Sequence, residues 1–298
     1  MTRRRIWMIA AALLIVVLGL VVRNQVKVYR GRQSGHAARQ QRHPAIEVPP
    51  EVRQYRQALF AMLQPVGLSN CDLKRFGERN DGGYLMCANL LDGVQAGYSY
   101  GISGYDKWGC DISKAANVPV HQYDCFNTDR PSCWRGKTIF HEECVGDATE
   151  TLEGRLFDSV RNQFAKNGDS GKRIVLKIDV EGAEWDTFLA MPDETFEQID
   201  QMAVEFHWEE GSKFAWVQDE RYPRAVRRLR QFFEVAHIHF NNASCVGDLA
   251  PFTSFAYEVL FVSRRLAVVD PTRTATGLHP QDSRNNASLS DCQPSAVK

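Results

Sequence analysis

Between about residue 52 and residue 268, short apolar runs alternate with amphipathic stretches, and this alternation limits the fold more than any other feature of the chain. Runs apolar on both faces suit parallel strands buried between two layers, and the stretches between them suit crossover helices. The pattern predicts strands at Ala96–Gly101, Pro119–Tyr123, Lys137–Cys144, Arg173–Ile178, Gln201–Phe206, Val235–Phe240 and Ala256–Val262. Helices are expected at Lys107–Asn117, Ala148–Lys166, Ala183–Ala190 and Tyr222–Phe233. No useful helix separates the last two strands, so an antiparallel hairpin closes an otherwise parallel sheet. The expected fold class is a doubly wound α/β domain.

The rest of the 298 residues flank this domain. Ile6 to Val22 is an uncharged apolar run of seventeen residues, about 26 Å long as a helix, enough for an uncleaved transmembrane signal anchor. Residues 1–5 form a short basic tail, residues 23–52 a flexible stem ending in Pro49-Pro50, residues 53–268 the domain, and the polar residues 269–298 a disordered tail. The formal charge of zero hides a segregation: nine of the 36 basic residues and no acid lie in residues 1–46, leaving 27 basic against 36 acidic beyond, a net −9. The basic excess sits where a membrane surface explains it, and no nucleic-acid partner is expected. Eight cysteines, all after residue 70, and sequons at Asn242-Ala243-Ser244 and Asn286-Ala287-Ser288 favour a lumenal body in the endoplasmic reticulum or Golgi, with a secreted form if the anchor is cleaved.

In a doubly wound sheet, ligands bind beyond the carboxyl ends of the strands. After the first strand comes Tyr100-Gly101-Ile102-Ser103-Gly104, a glycine turn that suits close backbone approach to a ligand or a plain turn. The second strand ends in Asp124, suited to the hydroxyls of a ribose or simply solvated, and Asp147 follows the third. The fourth strand runs straight into Asp179-Val180-Glu181-Gly182-Ala183-Glu184, three acids in six residues. As purely structural groups, Asp179 or Glu181 would cap the next helix and Glu184 would lie on its exposed face; two acids at a strand end favour a functional role. The fifth strand ends in Glu205-Phe206-His207, an acid and a titratable ring, and the sixth supplies His237, His239 and Asn241-Asn242.

The run Leu176-Lys177-Ile178-Asp179-Val180-Glu181-Gly182-Ala183-Glu184 resembles the signature of FkbM-type methyltransferases, which use S-adenosylmethionine and are mainly O-methylating. Arg79-Asn80-Asp81-Gly82-Gly83-Tyr84, Tyr100-Gly101-Ile102, Trp108-Gly109-Cys110-Asp111, Val204-Glu205-Phe206-His207 and His239-Phe240-Asn241-Asn242 resemble the related methyltransferase-like domain family, over about residues 70 to 262. The resemblance implies a Rossmann-like methyltransferase fold with Tyr100, Gly101, Ser103, Asp124 and Asp147 lining the cofactor pocket. It also implies Asp179 and Glu181 at the junction of cofactor and acceptor, with Glu205 and His207 opposite. The acidic-x-glycine-x-glycine motif of such folds is replaced here by Tyr-Gly-Ile-Ser-Gly, which leaves Asp81 or Asp106 to contact the cofactor's amino-acid end.

Methyl transfer to a hydroxyl needs alignment and a base. His207 is the expected base, oriented by Glu205 or Asp179, because an unperturbed histidine titrates at about 6.5. The acceptor is expected to be a glycan or another small molecule with a hydroxyl or carboxyl group. A divalent metal held by Asp179, Glu181 and Glu205 remains an alternative, but no spacing demands one and no metal ligand is assigned. A type II lumenal glycosyltransferase and a catalytically inactive cofactor-binding domain remain as alternatives.

Overall fold

The computed structural model describes residues 48–208, 219–246, 249–273, 275 and 277–292. The expected anchor and the expected stem up to residue 47 lie outside the described residues, among which no helix is long and apolar enough to cross a membrane. The described chain opens with helix α1 (Pro50–Met62), which begins within the expected stem and buries Val52 and Leu59. A hairpin follows, β1 (Leu73–Gly77) and β2 (Gly83–Cys87), with Asp81-Gly82 at its turn.

The main sheet has seven strands. In chain order they are β3 (Ala96–Tyr100), β4 (Pro119–Tyr123), β5 (Lys137–His141), β9 (Ile174–Ile178), β10 (Ile199–His207), β11 (Phe233–Phe240) and β12 (Ala256–Ser263). The spatial order is β11-β12-β10-β9-β3-β4-β5, with the strands from β10 to β5 mutually parallel and β12 antiparallel to both its neighbours. The closing hairpin is present, with its second strand inserted against β10. The parallel part follows the doubly wound order, and its direction of winding reverses between β3 and β9. The fold is therefore α/β with a large, mostly parallel sheet.

The alternation of side chains gives the sheet two unlike faces. Tyr98, Tyr100, Ile174, Leu176, Ile178, Met202, Val204, Phe206, Tyr257 and Phe261 share one apolar cluster. Helices α1, α3 (Val160–Lys166), α4 (Glu184–Ala190) and α6 (Arg221–Phe232) pack on it through Leu59, Phe164, Trp185 and Leu229, while the short α5 (Asp193–Phe196) adds Phe196. The residues between these point the other way and include buried polar ones: Ser99, Lys177, Gln201, Glu205 and Glu258. That face is covered by α2 (Lys107–Ala116) and by the β1–β2 hairpin, whose Tyr84, Met86 and Cys87 join Trp108, Val175, Ala203 and Leu260 in a second cluster. The amide of Gln201 docks the hairpin by accepting from Cys87 N at 2.8 Å and donating to Cys87 O at 3.0 Å.

Two expectations need correction. Ala148–Lys166 is helical only from Val160; before it, β7 (Glu150–Leu152) and β8 (Arg155–Asp158) form a hairpin around Glu153-Gly154, both at positive φ, and β8 also pairs with β6 (Cys144–Val145). A turn that demands left-handed backbone breaks the helical periodicity. The tail is also not loose where it is described. Asp282 accepts from His237 at 2.8 Å, Asn285 donates to Glu258 at 2.7 Å and to Asp81 at 3.1 Å, and Cys292 is bonded to Cys245. Composition misreads this segment because it is held by hydrogen bonds to buried polar groups and a disulfide, not by an apolar stripe.

All eight cysteines are paired, as Cys71–Cys87, Cys110–Cys133, Cys125–Cys144 and Cys245–Cys292. Replacing Asn285 with alanine leaves a buried Glu258 oxygen short of a donor, and we expect a loss of about 1–3 kcal/mol, read as a lower urea midpoint with an unchanged m-value.

Candidate active site

The site begins at the winding reversal, where β3 and β9 end side by side. Gly101 follows β3 at φ +70°, and a Cβ there would lie 1.7 Å from the carbonyl oxygen of Asp179, so only glycine lets the two strand ends approach this closely. Lys177, the lone charge in the apolar run of β9, is 4% exposed. Its ammonium donates to Tyr100 O at 3.1 Å, Gly101 O at 2.8 Å and Asp179 Oδ2 at 3.2 Å. Three donors meet three acceptors, which is what makes a buried ammonium tolerable.

Above this joint the acids and the ring converge. Tyr84, reaching over from β2, has its hydroxyl 3.0 Å from Asp179 Oδ2 and 3.1 Å from Glu205 Oε2. It has one proton to donate, so the two carboxylates share a single donor. Burial and the facing charges of Asp179 and Glu205 raise the Tyr84 pKa well above the usual phenol, which keeps that proton in place. Glu205 is 3% exposed and accepts from Asn241 Nδ2 at 2.8 Å; burial, then the charges of Asp179 and Glu258, push its pKa far up.

His207 stands at the end of β10 with Glu184 behind it. Glu184 Oε1 accepts from His207 N at 2.6 Å and lies 3.3 Å from Nδ1, while Glu184 Oε2 accepts from Gly182 N at 2.9 Å. The other ring nitrogen faces three carboxylates: Glu181 at 3.8 Å, Asp179 at 3.9 Å and Glu205 at 4.0 Å. Asp179, Glu181 and His207 each offer a ligand atom within 4.8 Å of the others. Burial opposes protonation of His207, but the hydrogen bond and charge of Glu184, with the charges of Glu205 and Asp179, outweigh it and push the pKa up to about 9. The neighbouring carboxylates thus favour the protonated ring, and the carboxylate beside Nδ1 is Glu184 rather than Glu205 or Asp179.

Asp179, Glu181, Glu205 and His207 therefore come together; the remaining candidates do so less. Tyr100 contributes its carbonyl, but its ring lies in the apolar core stacked on Tyr123. Ser103 is exposed at φ +48° and donates its N–H to Asp124. Asp124 accepts from Ser103 N at 2.7 Å, Phe126 N at 2.8 Å and Asn127 N at 2.9 Å, so most of its acceptor capacity already ties two turns together. Asp147 lies at an exposed bend after β6. Asp81 is at the tip of the β1–β2 turn against Asn285, and Asp106 is buried, capping α2 through Gly109 N and accepting from Gln122.

Lys177, Tyr84, Glu184 and Asn241 are site residues that the sequence reading left without a role. A lysine inside an otherwise apolar strand was the signal for the first. Glu184, which a purely structural reading puts on an exposed helix face, is fully buried. No known protein-family model matches this chain, and no curated protein matches it.

A histidine whose pKa is higher folded than unfolded stabilises the fold fully below about 6.5 and loses that contribution as pH rises through about 9. In chelator-treated buffer, the His207 ring followed by NMR should stay protonated through pH 8, and Glu184→Gln should return it toward the ordinary histidine range.

Proposed function

We propose that this chain is a membrane-anchored, S-adenosylmethionine-dependent O-methyltransferase acting on a glycan or another hydroxyl or carboxyl acceptor. The observation that carries this reading is the position of the Lys177-to-Glu184 run. Its lysine and acids lie at the winding reversal of a Rossmann-like sheet, where such folds take nucleotide ligands. The antiparallel hairpin that closes the sheet is compatible with the same reading.

The donor set suits a cationic ligand. Asp179, Glu181 and Glu184 outnumber Lys177 and His207 even without Glu205, whose neutral form burial favours, and the Lys177 ammonium is spent on its three acceptors. Asp179 and Glu205 would face the sulfonium, and the Gly101–Gly104 turn would supply backbone; the ribose role expected of Asp124 has little support, because three N–H groups already occupy it. Bound S-adenosylmethionine supplies an electrophilic methyl group whose positive charge is neutralised on transfer. The chain's own task is to hold an acceptor oxygen and receive its proton. Asp179 is better suited than His207 to receive it, and the imidazolium can donate to the acceptor oxygen as negative charge develops.

Four disulfides support a lumenal, oxidising compartment. Within it the two sequons are unequal. Asn242 is 2% exposed, with its amide donating to the carbonyls of Asn286, Leu289 and Ser290, whereas Asn286 is exposed. Expressed in a secretory pathway, the chain should carry an endoglycosidase-sensitive glycan that Asn286→Gln removes and Asn242→Gln does not.

Calorimetric titration of the full chain with S-adenosylmethionine and S-adenosylhomocysteine tests the cofactor. No heat at millimolar ligand sinks the reading, and manganese-dependent binding of a nucleotide-sugar would favour glycosyl transfer. Asp179→Asn keeps an oxygen for Lys177 but removes its charge, and should lower turnover by about a hundredfold or more in protein that is still folded, with a lowered unfolding midpoint; full activity would remove its role.

A further inference from the structure

We propose that Asp179, Glu181 and His207 together bind one divalent first-row metal ion of the Mn2+ class, with Glu205 beside it. The ring nitrogen Nε2 of His207 lies 3.8 Å from Glu181 Oε2, 3.9 Å from Asp179 Oδ1 and 4.0 Å from Glu205 Oε1. These separations are too long for hydrogen bonds; neighbouring ligands of one metal, each bonded at roughly 2.0–2.2 Å, lie about 3.0–3.5 Å apart, so the donors need to close by less than about 1 Å to share an ion. The donor atoms of Asp179, Glu181 and His207 lie within 4.8 Å of one another, so small side-chain movements bring all three onto one cation.

A residue outside the donor set points the same way. Glu184 is fully buried behind the ring, and its Oε1 lies 3.3 Å from Nδ1 while also accepting from His207 N. A carboxylate on the far ring nitrogen is the usual support of a metal-binding histidine, because it fixes the tautomer that leaves Nε2 free to ligate. The backbone amide of Gly182 holds the other Glu184 oxygen at 2.9 Å, so this support is itself anchored.

The local charge needs such an ion. Lys177 reaches only Asp179 Oδ2, leaving Oδ1 turned toward His207, and the single Tyr84 proton serves both Asp179 and Glu205. Glu181 offers a route from solvent, since its side chain is 87% exposed and can swing onto the ion. The donors also select the metal class. Every cysteine is in a disulfide, which removes thiolate ligands, and an imidazole with carboxylates suits Mn2+ or Zn2+ better than the all-oxygen preference of Ca2+. The Nε2 position holds a proton or a metal ion, never both. Metal binding stands independently of the proposed methyl transfer; only its use rests on that reading, as a Lewis acid that binds the acceptor oxygen and favours its deprotonation.

The test uses the full chain stripped with chelator and titrated with Mn2+ alone, read by water-proton relaxation, with no cofactor or acceptor present. We expect one saturable Mn2+ per chain. Glu181→Ala, at an exposed side chain that folding does not need, and His207→Gln should each weaken it by at least about tenfold, and Glu184→Gln by about tenfold through the lost support. Absence of saturable binding, or the same affinity in Glu181→Ala and His207→Gln as in the parent, overturns the proposal. Because the assay contains no S-adenosylmethionine, its failure and a failure of cofactor binding are separate results.

Discussion

The ammonium of Lys177 is the contact on which the candidate site depends. Buried within the sheet, it joins the last carbonyl of β3, the carbonyl of Gly101 and the carboxylate of Asp179. An unpaired buried ammonium would cost several kcal/mol, and the opposing acceptors would be stranded without it. The same three contacts hold two strand ends at the closeness that Gly101 permits. Asp179 is consequently aimed by a strand interior rather than by a loop, and its direction is as rigid as the sheet.

Around that joint the structure accumulates negative charge on one face. The apolar face carries the helices and the larger core, so the polar residues at alternate positions of β9, β10 and β12 share the opposite face, beneath the β1–β2 hairpin. The hairpin keeps water from these groups and contributes Tyr84 as their common donor. Burial raises the cost of each carboxylate, and the same surroundings favour the protonated forms of His207 and Glu205 and keep the Tyr84 proton between Asp179 and Glu205. A cationic ligand, whether sulfonium or metal, replaces those protons with charge, which is why the two proposals draw on the same residues without depending on each other.

Much of the sheet was legible because its strands are buried on both faces and read as apolar runs; Pro119–Tyr123 matches the expected bounds, and Ala96–Tyr100 and Ile174–Ile178 each differ by one residue. What escaped was held by other forces. The β7–β8 hairpin depends on left-handed backbone at Glu153 and Gly154, and residues 277–292 on side-chain hydrogen bonds and the Cys245–Cys292 bond. Neither leaves a hydrophobic period to read. Disulfide pairing was likewise invisible, since it joins residues brought near only by the fold.

For the site, sequence alone determined which strands end in acids and in a ring, because side-chain chemistry at the end of an apolar run is a local fact. Asp179, Glu181, Glu205 and His207 were identifiable on that ground. Only the tertiary structure decided what each does. It turned Glu184 inward onto His207, set Tyr84 between two carboxylates, and spent Asp124 on three backbone N–H groups. The physical reason is that a side chain's protonation and role depend on its burial and its neighbours' charges, and those neighbours come from β2, β9, α4, β10 and the segment after β11, which the sequence keeps far apart.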